Sequence, residues 1–141
     1  MEKNKVIELL NKILEHELAG VVRYTHYSFM VFGYARIPIV KWLRDQASES
    51  MQHAQQIGEQ ITALEEHPSL KIAPLLETHK HNIDDILKES LEHEKAQLKL
   101  YHSLLEYAAD QHVSLEEFTR HMIREEQEHI NEVEKMLRKP S

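Results

Sequence analysis

The chain has 141 residues, with 17 Lys and Arg against 24 Asp and Glu for a formal net charge of −7. At that length one domain spanning residues 1–141 and able to bury a hydrophobic core is expected. Three glycines and four prolines are too few for a turn-rich β-sandwich or a disordered chain, and abundant Ala, Glu, Leu, Lys and Gln describe a helical protein. The acidic balance, without a basic stripe, argues against a nucleic-acid partner. The absence of cysteine excludes disulfides, thiolate catalysis and Cys-ligated metal. The apolar runs at residues 29–35 and 37–40 are too short to span a membrane, and Met1 leads directly into Glu-Lys-Asn-Lys with no secretory core. A cytoplasmic protein is expected. Eleven histidines stand out in so acidic a chain.

Four segments carry the helical period. The first runs from about residue 3 to 33, with Val6, Leu10, Ile13, Leu14, Leu18, Val21, Thr25 and Ser28 on one face. The second runs from about Pro38, suited to a first helical position, to Glu66, along a seam of Leu43, Ala47, Ser50, Ala54, Ile57, Ile61 and Leu64. The third starts at Asn82, a predicted N-cap, and continues through Ile83, Leu87, Leu91, Leu98, Tyr101 and Leu105 to about Asp110. The fourth opens at Ser114, where Ser114 and Glu117 form a predicted capping box, and carries Leu115, Phe118, Met122, Val133 and Met136.

Segments of this length make rods of roughly 40 Å. Short links join the first to the second and the third to the fourth, so each pair is expected to be an antiparallel hairpin. The connection over residues 67–81 is long enough to travel roughly 50 Å, a full bundle length. An all-α four-helix bundle with one long crossover follows, and Ile72, Leu75 and Leu76 are expected to bury against it. The alternative is an up-down-up-down bundle with a loose loop.

The chemistry lies where polar residues interrupt the apolar stripes. Glu17 falls between Leu14 and Val21, and Glu94 between Leu91 and Leu98. On the fourth helix Glu126 follows Met122 by four residues and His129 precedes Val133 by four. His53 lies at the edge of the second seam, 36 positions after Glu17, much as His129 lies 35 after Glu94. An isolated buried carboxylate would protonate or turn outward, whereas a shared dication removes the penalty. The Glu126-x-x-His129 spacing aims both side chains at one point, and a mixed imidazole–carboxylate set suits iron or manganese, with zinc possible. The other nine histidines, His93 and His121 included, are expected to be solvated.

These residues resemble the bacterioferritin branch of the ferritin-like superfamily over about residues 5–138. The resemblance is carried by Leu10-Asn11 leading to Glu17-Leu18, Tyr24, Met51-Gln52-His53-Ala54, Glu94, and the run Arg124-Glu125-Glu126-Gln127-Glu128-His129-Ile130. It implies a ferritin-like four-helix bundle in which Glu17 pairs with His53 on one iron, Glu94 with His129 on the other, and Glu126 bridges. It further implies Tyr24 beside the centre as a candidate electron donor, and Met51 as a candidate ligand for haem shared between two subunits. The position of the second bridging Glu holds Ser50. Glu49 is adjacent but roughly 100° away around the helix, so it could serve only if that helix shifted. The given sequence ends at Ser141 without the short fifth helix of the 24-subunit shells, so a homodimer is expected rather than a closed shell. The implied activity is oxidation of Fe(II) by oxygen or peroxide. A diiron peroxidase or oxygenase on the same centre, or a metal- or haem-binding module without turnover, remain alternatives.

Overall fold

The computed structural model describes residues 1–140. Four helices follow in chain order: α1 (Lys3–Met30), α2 (Arg36–Ala63), α3 (Ile83–Ala108) and α4 (Val113–Leu137), with no strand among the described residues. α1 packs along α2, α3 along α4, and α1 along α3. No described helix is long and apolar enough to cross a membrane.

The link from α2 to α3 fixes the topology. Ser69 N–H donates to Asn11 Oδ1 at 2.8 Å, Ala73 N–H donates to the Glu15 carbonyl at 2.9 Å, and Arg23 donates to the Leu76 carbonyl at 3.0 Å. Successive crossover residues therefore meet successive turns of α1, so the chain is carried back to the end of the bundle where α2 began. α3 then runs parallel to α2, the expected ferritin-like connectivity.

What holds the crossover differs from expectation. Ile72, Leu75 and Leu76 remain substantially exposed. Hydrogen bonds do the work instead, because Arg23 and Glu89 form a buried ion pair at 3.0 Å, and Glu89 also accepts from Tyr27 at 2.6 Å and from Thr78 N–H at 3.0 Å. A buried carboxylate that is fully paired can anchor a segment with little apolar surface of its own.

The helix ends follow local chemistry, with two corrections. Asn82 caps α3 as predicted, its Oδ1 accepting from Asp85 N–H at 2.9 Å. α4 begins one residue before Ser114, and its cap is His112, whose Nδ1 accepts from Leu115 N–H at 3.1 Å. With the helix starting earlier, the orphan donor at the third helical position is Leu115 N–H, and the imidazole takes it in place of a Ser114–Glu117 box. α2 starts at Arg36, which places Pro38 third in the helix, still within the turn that needs no backbone donor. In the α1–α2 link, Gly33 has φ +96°, a conformation open to glycine without strain.

Two apolar cores flank a polar waist. One gathers Val6, Leu10, Ile13, Leu14, Ala54, Ile57, Ile61, Tyr101, Leu104, Ala108, Leu115 and Met122. The other gathers Tyr24, Tyr27, Val31, Val40, Leu43, Ala47 and Ile86. Between them lie buried Glu17, Ser50, His53, Glu94, Gln97 and Glu126. The seam of α3 is more polar than its leucines suggested: Leu91, Leu98 and Leu105 are half-buried, while Ser90, His93 and Gln97 point inward.

Candidate metal centre

Each helix brings one turn of polar residues to the waist. α1 supplies Glu17, α2 supplies Ser50 and His53, α3 supplies Glu94 and Gln97, and α4 supplies Glu126 and His129. Donor atoms of Glu17, His53 and Glu126 all fall within 4.8 Å of one another. His53 Nδ1 is 3.2 Å from Glu17 Oε2 and 3.6 Å from Glu126 Oε1. On the other side His129 Nε2 is 3.7 Å from Glu94 Oε1. Tyr24 is buried beside this second pair, its hydroxyl donating to Glu94 at 2.6 Å and lying 3.2 Å from His129 Nε2. The His129 ring is stacked on the Trp42 indole at 5.7 Å, which fixes its plane.

The electrostatics show how costly this layer is without a cation. Burial pushes the Glu17 carboxyl up to about 7, against the opposing pull of His53. Glu94 and Glu126 share a hydrogen bond; burial and the neighbouring Glu94 charge raise Glu126, so the proton of the pair rests there. Burial also penalises ionised Glu94, but the bond from Glu126 and the neighbouring His129 and His93 outweigh it and lower its pKa. His53 loses by burial, yet the Glu17 and Glu125 carboxylates more than restore its charge and raise it to about 9. Glu17 Oε2 and Glu126 Oε2 are both buried without a properly directed hydrogen bond, despite the short approach of His53 to the former. Orphaned carboxylate oxygens aimed at a common point fit a cation.

Glu49 takes the position its phase implied, on the outer side of His53 rather than facing Glu17. Its Oε1 is 3.7 Å from His53 Nε2, and that nitrogen is held more closely by Glu125 at 2.7 Å. Glu125 in turn pairs with His121 at 2.8 Å. A carboxylate on the outer nitrogen orients the ring and keeps a proton on Nε2, so that a cation entering the waist displaces the proton of Nδ1. Glu125 was not singled out from the sequence, although its place one residue before Glu126, opposite an inward histidine, is where such a partner stands. Gln97, one turn after Glu94, was also missed; its amide donates to Glu17 Oε1.

His16 and His93 are the clear corrections to the solvated set. Their rings stack at 4.0 Å with an 8° interplanar angle against the waist, and burial depresses both, His93 to about 3. A neutral pair can be buried where a charged one could not. Gly20 makes room for them, since a Cβ there would stand 2.8 Å from Ser50 Oγ and 3.1 Å from His93 Nε2. Met51 is exposed on α2, away from the waist. The opening among Gln46, Glu49, Ser50, His53, Glu94, Glu126 and His129 encloses only about 10 Å³, space for an ion or one water.

A family model described as a ferritin-like domain matches residues 7–141. The chain belongs to the ferritin-like family. It is 33% identical over 111 residues to the bacterioferritin of Rhodobacter capsulatus, covering 75% of this chain and 65% of that relative's length. It is also similar to the solved structure of R. capsulatus bacterioferritin, described with a metal-free dinuclear site and a haem iron (27% identity, TM-score 0.86, covering 95% of this chain and 84% of that one). Two further structures match in fold. A ferritin-like diiron-carboxylate protein from Bacillus anthracis aligns with a TM-score of 0.90 at 24% identity, covering 96% of each chain. A dodecameric thioferritin, the bacterioferritin-related protein from Bacteroides fragilis, aligns with a TM-score of 0.86 at 20% identity, covering 97% of this chain and 86% of that one.

Proposed function

We propose that this ferritin-like protein binds iron at the waist of its bundle and oxidises Fe(II) with oxygen or peroxide. The observation that carries the reading is the pair of orphaned oxygens, Glu17 Oε2 and Glu126 Oε2, buried among ligand-type side chains from all four helices. Glu17 with His53 would hold one ion, Glu94 with His129 the other, and Glu126 would stand between them. Two Fe(II) ions, each giving one electron, supply the pair that reduces the oxidant. The protein's part is to deprotonate Glu17 and Glu126 as the cations enter, to hold His53 through Glu125, and to keep Glu94 oriented through the Tyr24 hydroxyl.

Ser50 supports a second reading, a metal-binding module without turnover, because it lines the centre with a neutral hydroxyl. Aerobic addition of Fe(II) to the metal-free protein separates the two. Ferric absorbance rising faster than buffer autoxidation supports oxidation; tight binding with no acceleration supports the module. A homodimer is proposed as the basic unit, since Phe29, Phe32, Tyr34 and Ile37 are all exposed around the first hairpin. Haem held between two copies by the exposed Met51 would give a Soret band on reconstitution, and none with Met51→Ala.

A further inference from the structure

Nine residues beyond Glu17, roughly 13 Å along α1, His26 faces the crossover rather than the waist. Its Nε2 is 3.2 Å from Glu77 Oε2, and His81 Nε2 is 3.4 Å from the same oxygen. The three donor atoms lie within 4.8 Å of one another. The other Glu77 oxygen accepts from the backbone N–H of His79, a residue held at φ 59°. That turn fixes the carboxylate, with His26 on one oxygen and His81 Nε2 3.4 Å from each of the two.

We propose that His26, Glu77 and His81 form a second metal site, separate from the waist, for one imidazole-preferring divalent ion of the zinc class. Two imidazoles and one carboxylate are a three-ligand set that leaves a fourth position for water. The contacts of 3.2 and 3.4 Å are close to the ~3.3 Å edge of a tetrahedron built on bonds of about 2.0 Å. Among first-row ions such a nitrogen-rich set favours the later members over manganese or magnesium. The side chains are partly exposed, at 47% for His26, 31% for Glu77 and 23% for His81, so the ion enters directly from solvent. Because the site joins α1 to a segment 51 residues away, occupancy closes the crossover onto the bundle and stabilises the folded chain by mass action.

The test is calorimetric titration of the untagged, metal-free protein with Zn²⁺, run on the parent, His26→Ala, His81→Ala, the isosteric Glu77→Gln, and Glu126→Ala. One Zn²⁺ equivalent is expected to weaken on the order of 100-fold in each of the first three variants and to persist in Glu126→Ala. Hydrogen exchange over residues 76–82 should slow on adding Zn²⁺ to the parent and to Glu126→Ala, and not in His81→Ala. Unchanged Zn²⁺ stoichiometry and affinity in all three site variants would overturn the proposal. So would loss of the same equivalent in Glu126→Ala.

Discussion

On the α1–α2 side of the waist, Glu17 meets His53; on the α3–α4 side, Glu94 meets His129. Both sides put a carboxylate on the first helix of a hairpin and an imidazole on the second, yet they reach opposite charge states. Glu17 is pushed up to about 7 by burial, whereas Glu94 is held low. The cause lies one turn before each histidine. Glu126 occupies that place on α4 and hydrogen-bonds Glu94, while α2 has Ser50, which offers Glu17 no comparable partner. Tyr24 also gives Glu94 a hydroxyl donor, where Glu17 has the Gln97 amide. The lesson is that a pseudo-symmetric frame does not make two equivalent ion positions: the α3–α4 side carries the charge that would hold the first ion.

Removing Glu126 should erase that advantage and gives the largest effect. Glu126→Ala is expected to lower bound metal by on the order of 100-fold in affinity, measured by elemental analysis and titration, while the exposed Glu134→Ala leaves it unchanged. Equal metal content in the two variants would end the bridging assignment.

The reverse experiment equalises the halves. Ser50→Glu restores a carboxylate one turn before His53 and should tighten the second ion about tenfold, a gain of roughly 1.4 kcal/mol, and raise the rate of Fe(II) oxidation. The same variant should destabilise the metal-free protein by about 1–3 kcal/mol, because it buries another carboxyl with no partner. Glu49→Ala is expected to matter less than Glu126→Ala, since Glu49 stands on the outer nitrogen of His53. If Glu49→Ala abolished metal binding and Ser50→Glu changed nothing, Glu49 would be the ligand.

Tyr24→Phe probes the other difference. It removes the donor to Glu94 and leaves the ring's packing in place, so metal content should stay within about twofold while Fe(II) oxidation slows severalfold. The lost bond to a charged acceptor should cost about 1.5–3 kcal/mol of metal-free stability in chemical denaturation. An unchanged rate and midpoint would reduce Tyr24 to a core aromatic.

Much of this centre was legible because burial and charge conflict openly in sequence. Glu17, Glu94 and Glu126 each interrupt an apolar stripe, and three residues from Glu126 to His129 is a helical turn. The crossover was legible from its length alone. What was hidden depends on partners from other helices. His53 reads as an edge residue and is buried because Glu125 receives its outer nitrogen. His16 and His93 read as solvated until helix packing stacks them over Gly20. The crossover's leucines and isoleucine read as anchors, whereas the anchor is the Arg23–Glu89 pair, each half of which resembles an ordinary surface charge.

The smallest effect is a pH dependence in the metal-free state that separates Glu17 from Glu94, with Glu126, itself raised by burial, acting in the direction of Glu17. Glu17 has its pKa raised from 4.5 to about 7 by burial, so its proton is bound more tightly in the folded than in the unfolded chain. Its contribution to stability is therefore full below about pH 4.5 and is lost as pH rises through about 7. His53, raised from 6.5 to about 9 by Glu17 and Glu125 against the cost of burial, acts in the same direction over a higher window. Glu94 has the opposite sign: being lowered, it contributes above pH 4.5 and only loses that contribution under strong acid. Thermal melts of the metal-free protein should thus decline between pH 6 and 9, and Glu17→Gln should flatten the lower part of that decline while leaving acid unfolding unaltered. Metal reverses the trend, because cations compete with the protons on Glu17 and His53, so loaded protein should gain stability over the same interval. A metal-free protein whose melting temperature rises from pH 6 to 9 would show that Glu17 and His53 do not hold their protons more tightly in the folded chain.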